Sequence, residues 1–208
     1  MRNTYWLLAL SLLPTIGGAW AGIELGFASL FADNAFIGFM VFMAVAIGFI
    51  FAINATKDSV FGVVILLAFT AFMGMVMSPL IGSVLGRENG VALVSIAAGG
   101  TAGIFAVMAF LSTVIKRDIS GWSKFLFIGL IGVIVAMVAN IFLQLTILAL
   151  VISSVAVMLF SAYLLFDLKR IVDGGETNYI TATLAVYLDL VNIFQNLLVL
   201  LGITSSDD

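Results

Sequence analysis

The stretch Thr181–Ile203, TATLAVYLDLVNIFQNLLVLLGI, is an apolar run of membrane length with one carboxylate, Asp189, about nine residues in. Asn192 and Asn196 follow at spacings of three and seven. On a helix turning 100° per residue, the three side chains fall within roughly 60° of one another. The opposite face carries Leu184, Val191 and Leu198 and is aliphatic. A stripe of Asp, Asn and Asn has no use against lipid, since a bare carboxylate in hydrocarbon costs at least about 3 kcal/mol. The stripe must face protein or trapped water. This helix is therefore expected inside a bundle, with the other spans around it.

The rest of the composition agrees. Of 208 residues, 63% are hydrophobic and 9% charged, whereas a soluble domain carries about 25% charged residues. The mean hydropathy is +1.29. Apolar runs this long are helices and not barrel strands, so the chain reads as an all-α integral membrane protein forming a single membrane domain over residues 1–208. Candidate spans are Tyr5–Phe31, Phe36–Ile53, Val60–Leu85, Val91–Ile115, Phe125–Leu143, Leu145–Phe166 and Thr181–Ile203, each near the ~20 residues a bilayer asks for. There is no Cys and no His. That removes thiol chemistry, disulfides, haem ligation, Cys/His zinc sites and histidine proton relays. Proton or cation chemistry has to run on carboxyl, amine, phenol and amide groups.

The first span resembles a secretory signal in having Arg2, an apolar core and Ala19-Trp20-Ala21. A signal core is only about 7–15 residues long, and this stretch runs apolar to Phe31 with Glu24 as its single charge. Gly18, Gly22 and Gly26 recur every four residues, the pattern of a close-packing helix face. A retained helix is the expectation. With the N-terminus in the cytoplasm, Arg2, Lys57, Lys116, Arg117, Lys124, Lys169 and Arg170 all lie inside and only Arg87 outside. That is the bias that orients membrane proteins. The C-terminal Ser205–Asp208 then lies outside, in the periplasm of a Gram-negative cell. Small-residue faces recur at Ser95, Gly99 and Gly103 and at Gly129 and Gly132, where tight helix packing is the ordinary reading. Pro79 is expected to kink the third span or end its regular part.

Two carboxylates are placed to do chemistry. Asp167 ends the sixth span in LLFDLKR, and Asp189 lies in the seventh. A short polar loop joins the two, which makes them antiparallel neighbours. At 1.5 Å per residue, Asp189 lies roughly 12–15 Å from the cytoplasmic side. Asp167 is shallower, and the two meet only if the sixth helix runs on through Arg170. Two carboxylates meeting in a low-dielectric site do not both ionise cheaply, so the pair can hold one shared proton. The structural alternative is that Asp167 marks the membrane edge beside Lys169 and Arg170 while Asp189 bonds a neighbouring span. Lys57 is either a gate cation for the pair or a positive-inside anchor. Asn140 and Gln144 flank the turn between the fifth and sixth spans; they satisfy its backbone or line an outer mouth. Oxygen donors from Asp167, Asp189, Asn192 and Asn196 suit a hard cation such as calcium, but the spacing specifies no site. Thr177 or Asn178 is placed to cap the seventh helix. No enzyme constellation is present. An aspartyl protease would want GxGD where this chain has Tyr187-Leu188-Asp189.

Four segments together resemble the Bax-inhibitor family, the transmembrane Bax inhibitor motif proteins, and within it the bacterial YccA-like branch. They are Arg2-Asn3-Thr4-Tyr5, MVANIFLQ at 137–144, GGETNYI at 174–180 and YLDLVNIF at 187–194. The resemblance implies seven helices with the C-terminal helix central. It also implies an Asp pair, here Asp167 and Asp189, acting as a pH-sensitive latch in a calcium leak pathway. No resident cofactor is implied beyond transient calcium. Partners would be the lipid bilayer, calcium or other cations and, for this branch, an FtsH-type membrane protease, with no nucleic acid. The location would be the bacterial inner membrane. One departure stands out: the second span carries no charge, and Lys57 stands near the place of the family's Arg, so the third partner of the latch does not carry over.

Overall fold

The computed structural model describes residues 2–27 and 34–204. They form seven α-helices: α1 Arg2–Glu24, α2 Ala35–Thr56, α3 Val60–Leu85, α4 Gly90–Val114, α5 Trp122–Leu143, α6 Thr146–Val172 and α7 Tyr179–Thr204. Each is long and apolar enough to cross a membrane, and no strand occurs among the described residues. The expected span end at 28–31 and the C-terminal 205–208 lie outside the described residues. Several ends differ from the sequence reading: α1 gives way to a turn after Glu24, short of the expected Phe31, and α2 runs to Thr56, past Ile53. The sixth helix runs six residues past Phe166, because Leu168 and Ile171 continue its buried face. The third helix has its expected bounds, Val60–Leu85, and stays helical through Pro79.

The loops follow local chemistry. Asn34 caps α2, its side-chain oxygen accepting from the Ile37 N–H at 3.1 Å. Gln144 takes the left-handed conformation after α5, at φ 52°, and donates its N–H to the Asn140 carbonyl at 2.8 Å. The Asn140 side chain accepts from Leu145 N–H at 3.0 Å. Gly174, at φ 76°, closes α6, and the next N–H, of Gly175, returns to the Arg170 carbonyl at 2.9 Å.

The chain divides into two compact units. Unit one comprises residues 1–83 and 176–187 and holds α1, α2, most of α3 and the first turns of α7. Lipid tails are as apolar as leucine, so helices in a membrane associate through close packing more than through burial. Here α1 and α3 meet almost backbone to backbone: a Cβ on Gly18 would overlap the Ala71 carbonyl, and one on Gly74 the Thr15 carbonyl. Gly22 packs likewise on Met75 and Ser78. Gly26, expected to share that face, lies beyond the helix in a left-handed turn at φ 64°. An aromatic run ties α2 to α3 and α7: Phe42–Phe72, Phe49–Phe72, Phe49–Phe69 and Phe69–Tyr187 have ring centroids 5.6–6.4 Å apart. Such pairs contribute about 0.5–1.5 kcal/mol each beyond burial.

Unit two comprises residues 84–175 and 188–208, with α6 packed against both α4 and α5. Its glycines are used differently. Gly129 faces the Leu159 side chain and Gly100 faces Leu197. Gly99, Gly103 and Gly132 meet nothing within 4 Å among the described residues. The small-residue face expected to pack on α4 is therefore not a packing face within the described chain. Arg87, in the loop before α4, donates to the Gly202 carbonyl near the end of α7. There it meets the negative end of the helix dipole.

Candidate functional site

α7 has a higher buried share than any of the other six helices. Both of its faces are covered: Asp189 and Asn196 on one, Leu184, Val191 and Leu198 on the other. Its first half spends its polar groups on structure. Asn178 caps the helix, its side-chain oxygen accepting from Ile180 N–H at 2.9 Å and Thr181 N–H at 3.3 Å. The same side chain donates to the Lys57 carbonyl at 3.0 Å and to Asp58 at 2.9 Å, which ties the α2–α3 loop to the helix start. Thr183 donates to Tyr179 O at 2.7 Å and lies 3.2 Å from Thr4 O. Tyr187, fully buried, has its hydroxyl 2.8 Å from that of Thr15 and donates to Thr70 O at 3.3 Å.

In unit two, the second half of α7 carries the carboxylate. The continuation of α6 past Phe166 keeps Asp167 helical, and Asp167 and Asp189 come together side chain to side chain. A carboxylate only accepts, so a hydrogen bond between two carboxyls needs one of them to carry a proton. Asp189 is 5% exposed, and its Oδ2 is buried without a hydrogen-bond partner among the described residues. No N–H or O–H donor of the described residues reaches that oxygen, and Asp167 is the polar neighbour of the carboxyl. Tyr163, one turn before Asp167, lies within electrostatic reach of both carboxyls. The asparagines of the stripe turn their amides along the helix: Asn192 donates to Leu188 O and Asn196 to Asn192 O, both at 2.8 Å. Among the described residues, no three or more Asp, Glu, His or Cys side chains gather as a metal set.

The other expected site residues fall as follows. Asn140 and Gln144 hold the α5–α6 turn. Lys57 follows the last turn of α2, and its carbonyl is taken by Asn178. Lys169, expected at the membrane edge, is 7% exposed and pairs with Asp173 four residues on. Sequence reasoning missed Tyr163, the Lys169–Asp173 pair and the Tyr187–Thr15–Thr70 cluster. A tyrosine in the middle of an apolar span was the available signal, since a buried phenol needs a partner.

Seven membrane-length helices define an all-α polytopic membrane protein, and its last two helices bring a pair of carboxyls together. A family model described as inhibitor of apoptosis-promoting Bax1 matches residues 1–206, and the chain belongs to that family. It is 37% identical to an uncharacterized membrane protein of Vibrio cholerae, over 100% of this chain and 91% of the relative. It is 36% identical, with the same coverage, to the Escherichia coli K12 protein named modulator of FtsH protease YccA. An E. coli O6:H1 relative of equal identity and coverage is named inner membrane protein YccA.

Proposed function

We propose that this protein is an inner-membrane cation leak pathway, with calcium the expected ion, gated by protonation of the Asp167–Asp189 pair. The observation that carries the reading is the meeting of two carboxyls in a span, with one Asp189 oxygen buried and unmet. With one proton the pair is bonded and α6 is held on α7. With none, two like charges share a low-dielectric site, repel one another and draw in water or a cation. The charge balance of the basic residues supports a cytoplasmic N-terminus, and the spacing then opens the pair toward the cytoplasmic side. The test is calcium flux into proteoliposomes stepped from about pH 5 to about pH 8. Wild type is expected to carry a pH-dependent flux, and Asp189→Asn and the double Asn variant to lose that dependence. An unchanged pH dependence in the double variant ends this reading.

A second reading is favoured by one finding, the name of the E. coli relative. In it the protein binds an FtsH-type membrane protease and slows or redirects its proteolysis. Here the expected outcome is co-purification with the protease from native membranes and altered turnover of its membrane substrates. Absence of crosslinking in those membranes counts against it. The two readings are compatible, because a pair that changes state with pH can bias a partner as well as a pathway.

A further inference from the structure

Charge is unevenly arranged at the end of unit two where α4 stops, α5 starts and α6 stops. Lys116 and Arg117 follow α4, Lys124 lies in the first turn of α5, and Lys169 and Arg170 lie in the last turn of α6. Outside the helices, the acids of this end of unit two are Asp118 and Asp173. Both are engaged. Asp118 accepts from the Ser120 N–H and hydroxyl, and both oxygens of Asp173 accept from the buried Lys169 ammonium. Lys116, Arg117 and Lys124 are exposed, and none of them has an ion-pair or hydrogen-bond partner among the described residues. The turn that carries these cations is anchored. Ile119 is buried, its carbonyl accepts the Trp122 N–H at 2.9 Å, and Lys169 acts on Asp118 from the end of α6. Beside the cations stand two exposed aromatic residues, Trp122 and Phe125. The Trp122 indole N–H has no acceptor among the described residues.

We propose that the α4–α5 turn is a docking surface for anionic lipid headgroups, whose phosphate meets Lys116, Arg117 and Lys124 while Trp122 sets the depth. Ammonium, guanidinium and indole offer only donors, and the phosphate of a lipid offers only acceptors. Tryptophan settles at headgroup level in membrane proteins, which brings the neighbouring cations to the layer where the phosphates lie. Each basic residue near an anionic leaflet strengthens the attraction about five-fold. Lys169 is left out of the surface, because Asp173 already takes its charge. A zwitterionic head carries an ammonium of its own, which these cations repel. None of these residues belongs to the carboxyl pair, and the proposal does not rest on that pair.

The chain has three tryptophans, so Trp6→Phe with Trp20→Phe leaves Trp122 as the single reporter. Lipids brominated on their chains quench tryptophan fluorescence on contact. The full chain with these two changes is reconstituted in phosphatidylcholine bilayers that contain, at equal mole fraction, either brominated phosphatidylglycerol or brominated phosphatidylcholine. At low salt, association at Trp122 is expected to favour phosphatidylglycerol at least about five-fold. In about 1 M salt, which screens charges beyond about 3 Å, the preference is expected to shrink. A chain that keeps only Trp20, exposed on α1, is the control and is expected to show no preference. Lys116→Gln, Arg117→Gln and Lys124→Gln together are expected to abolish the preference at Trp122. Equal quenching by the two lipids overturns the proposal and leaves an acidic protein surface as the occupant of the cations. An equal preference at Trp20, or one at Trp122 that survives the three substitutions, overturns it as well. If the triple variant fails to assemble, Lys124→Gln alone decides, a reduced preference supporting the proposal and an unchanged one overturning it.

Discussion

The two halves of α7 bury polar groups in opposite ways. From Asn178 to Tyr187, in unit one, Asn178 bonds backbone groups and the Asp58 carboxylate, and Thr183 and Tyr187 sit at 0% exposure with their hydroxyls bonded. From Leu188 onward, in unit two, the asparagines also close on their own helix, but Asp189 has a second carboxyl as its neighbour and an Oδ2 that no donor of the described residues reaches. A hydroxyl donates and accepts and is easily satisfied by a carbonyl one turn back. A carboxylate offers only acceptors, and helix interiors have no free donors to give it. The first arrangement is finished as structure. The second is satisfied only by a proton, a cation or water, and that is why the functional reading belongs to the second half.

The units also differ in how glycine is used, and that difference has the largest expected consequence. In unit one the Gly74 contact is with the Thr15 carbonyl, a backbone atom that cannot swing away. Gly74→Ala is expected to cost about 3 kcal/mol of stability. In unit two the nearest atom to a Cβ on Gly129 is Leu159 Cδ1, at 2.9 Å, the tip of a flexible side chain. Gly129→Ala is expected to leave stability unchanged or raise it by up to about 1 kcal/mol, the helix preference of alanine over glycine. Unfolding both variants in mixed micelles measures the contrast. Equal midpoints would mean that α1 and α3 are not held by backbone contact.

Much of this is legible in the sequence. The seven spans follow from apolar length, and the burial of α7 from its Asp-Asn-Asn stripe. What is not legible depends on where helices end and on which atoms remain unmet. Lys169 and Arg170 look like a membrane edge, yet Lys169 is buried against Asp173 and α6 runs on to Val172. The meeting of Asp167 with Asp189 depends on that extension, so from sequence alone it stays conditional. The small residues of α4 and α5 carry the same pattern as those of α1, because spacing describes a face and not what covers it. Tyr187 stands out in the sequence only as a departure from a protease motif, and its partners, Thr15 and Thr70, are more than a hundred residues away in the chain.

Two substitutions in the first half of α7 sharpen the division. Asn178→Ala removes the cap and both bonds to the α2–α3 loop, and should cost about 1–2 kcal/mol. Faster amide exchange at Ile180 and Thr181 is the direct readout. Tyr187→Phe removes one hydroxyl from a cluster in which Thr15 also bonds the Ser11 carbonyl, so about 1 kcal/mol is expected. Its flux should keep the wild-type response to pH. A flattened pH profile in Tyr187→Phe would bring the first half of α7 into the gate and break the division.

The smallest effect is expected at Asp118, the solvent-facing counterpart of Asp189. In the loop between α4 and α5 its two oxygens accept from the Ser120 N–H at 2.8 Å and the Ser120 hydroxyl at 3.0 Å. The Ser120 N–H, then the hydroxyl, hold this carboxyl below its ordinary 3.8, against a small opposing effect of burial and with some help from Lys169. Because the folded value is the lower one, the contribution to stability is fully present above about 3.8 and is lost as pH falls through the folded value. Nothing at Asp118 changes across the window in which the carboxyl pair is tested. Asp118→Asn should therefore speed amide exchange at Ser120 at neutral pH and leave the pH profile of flux where it was. A shifted profile would mean that a satisfied, exposed carboxylate sets the response. The unmet oxygen of Asp189 would then no longer explain it.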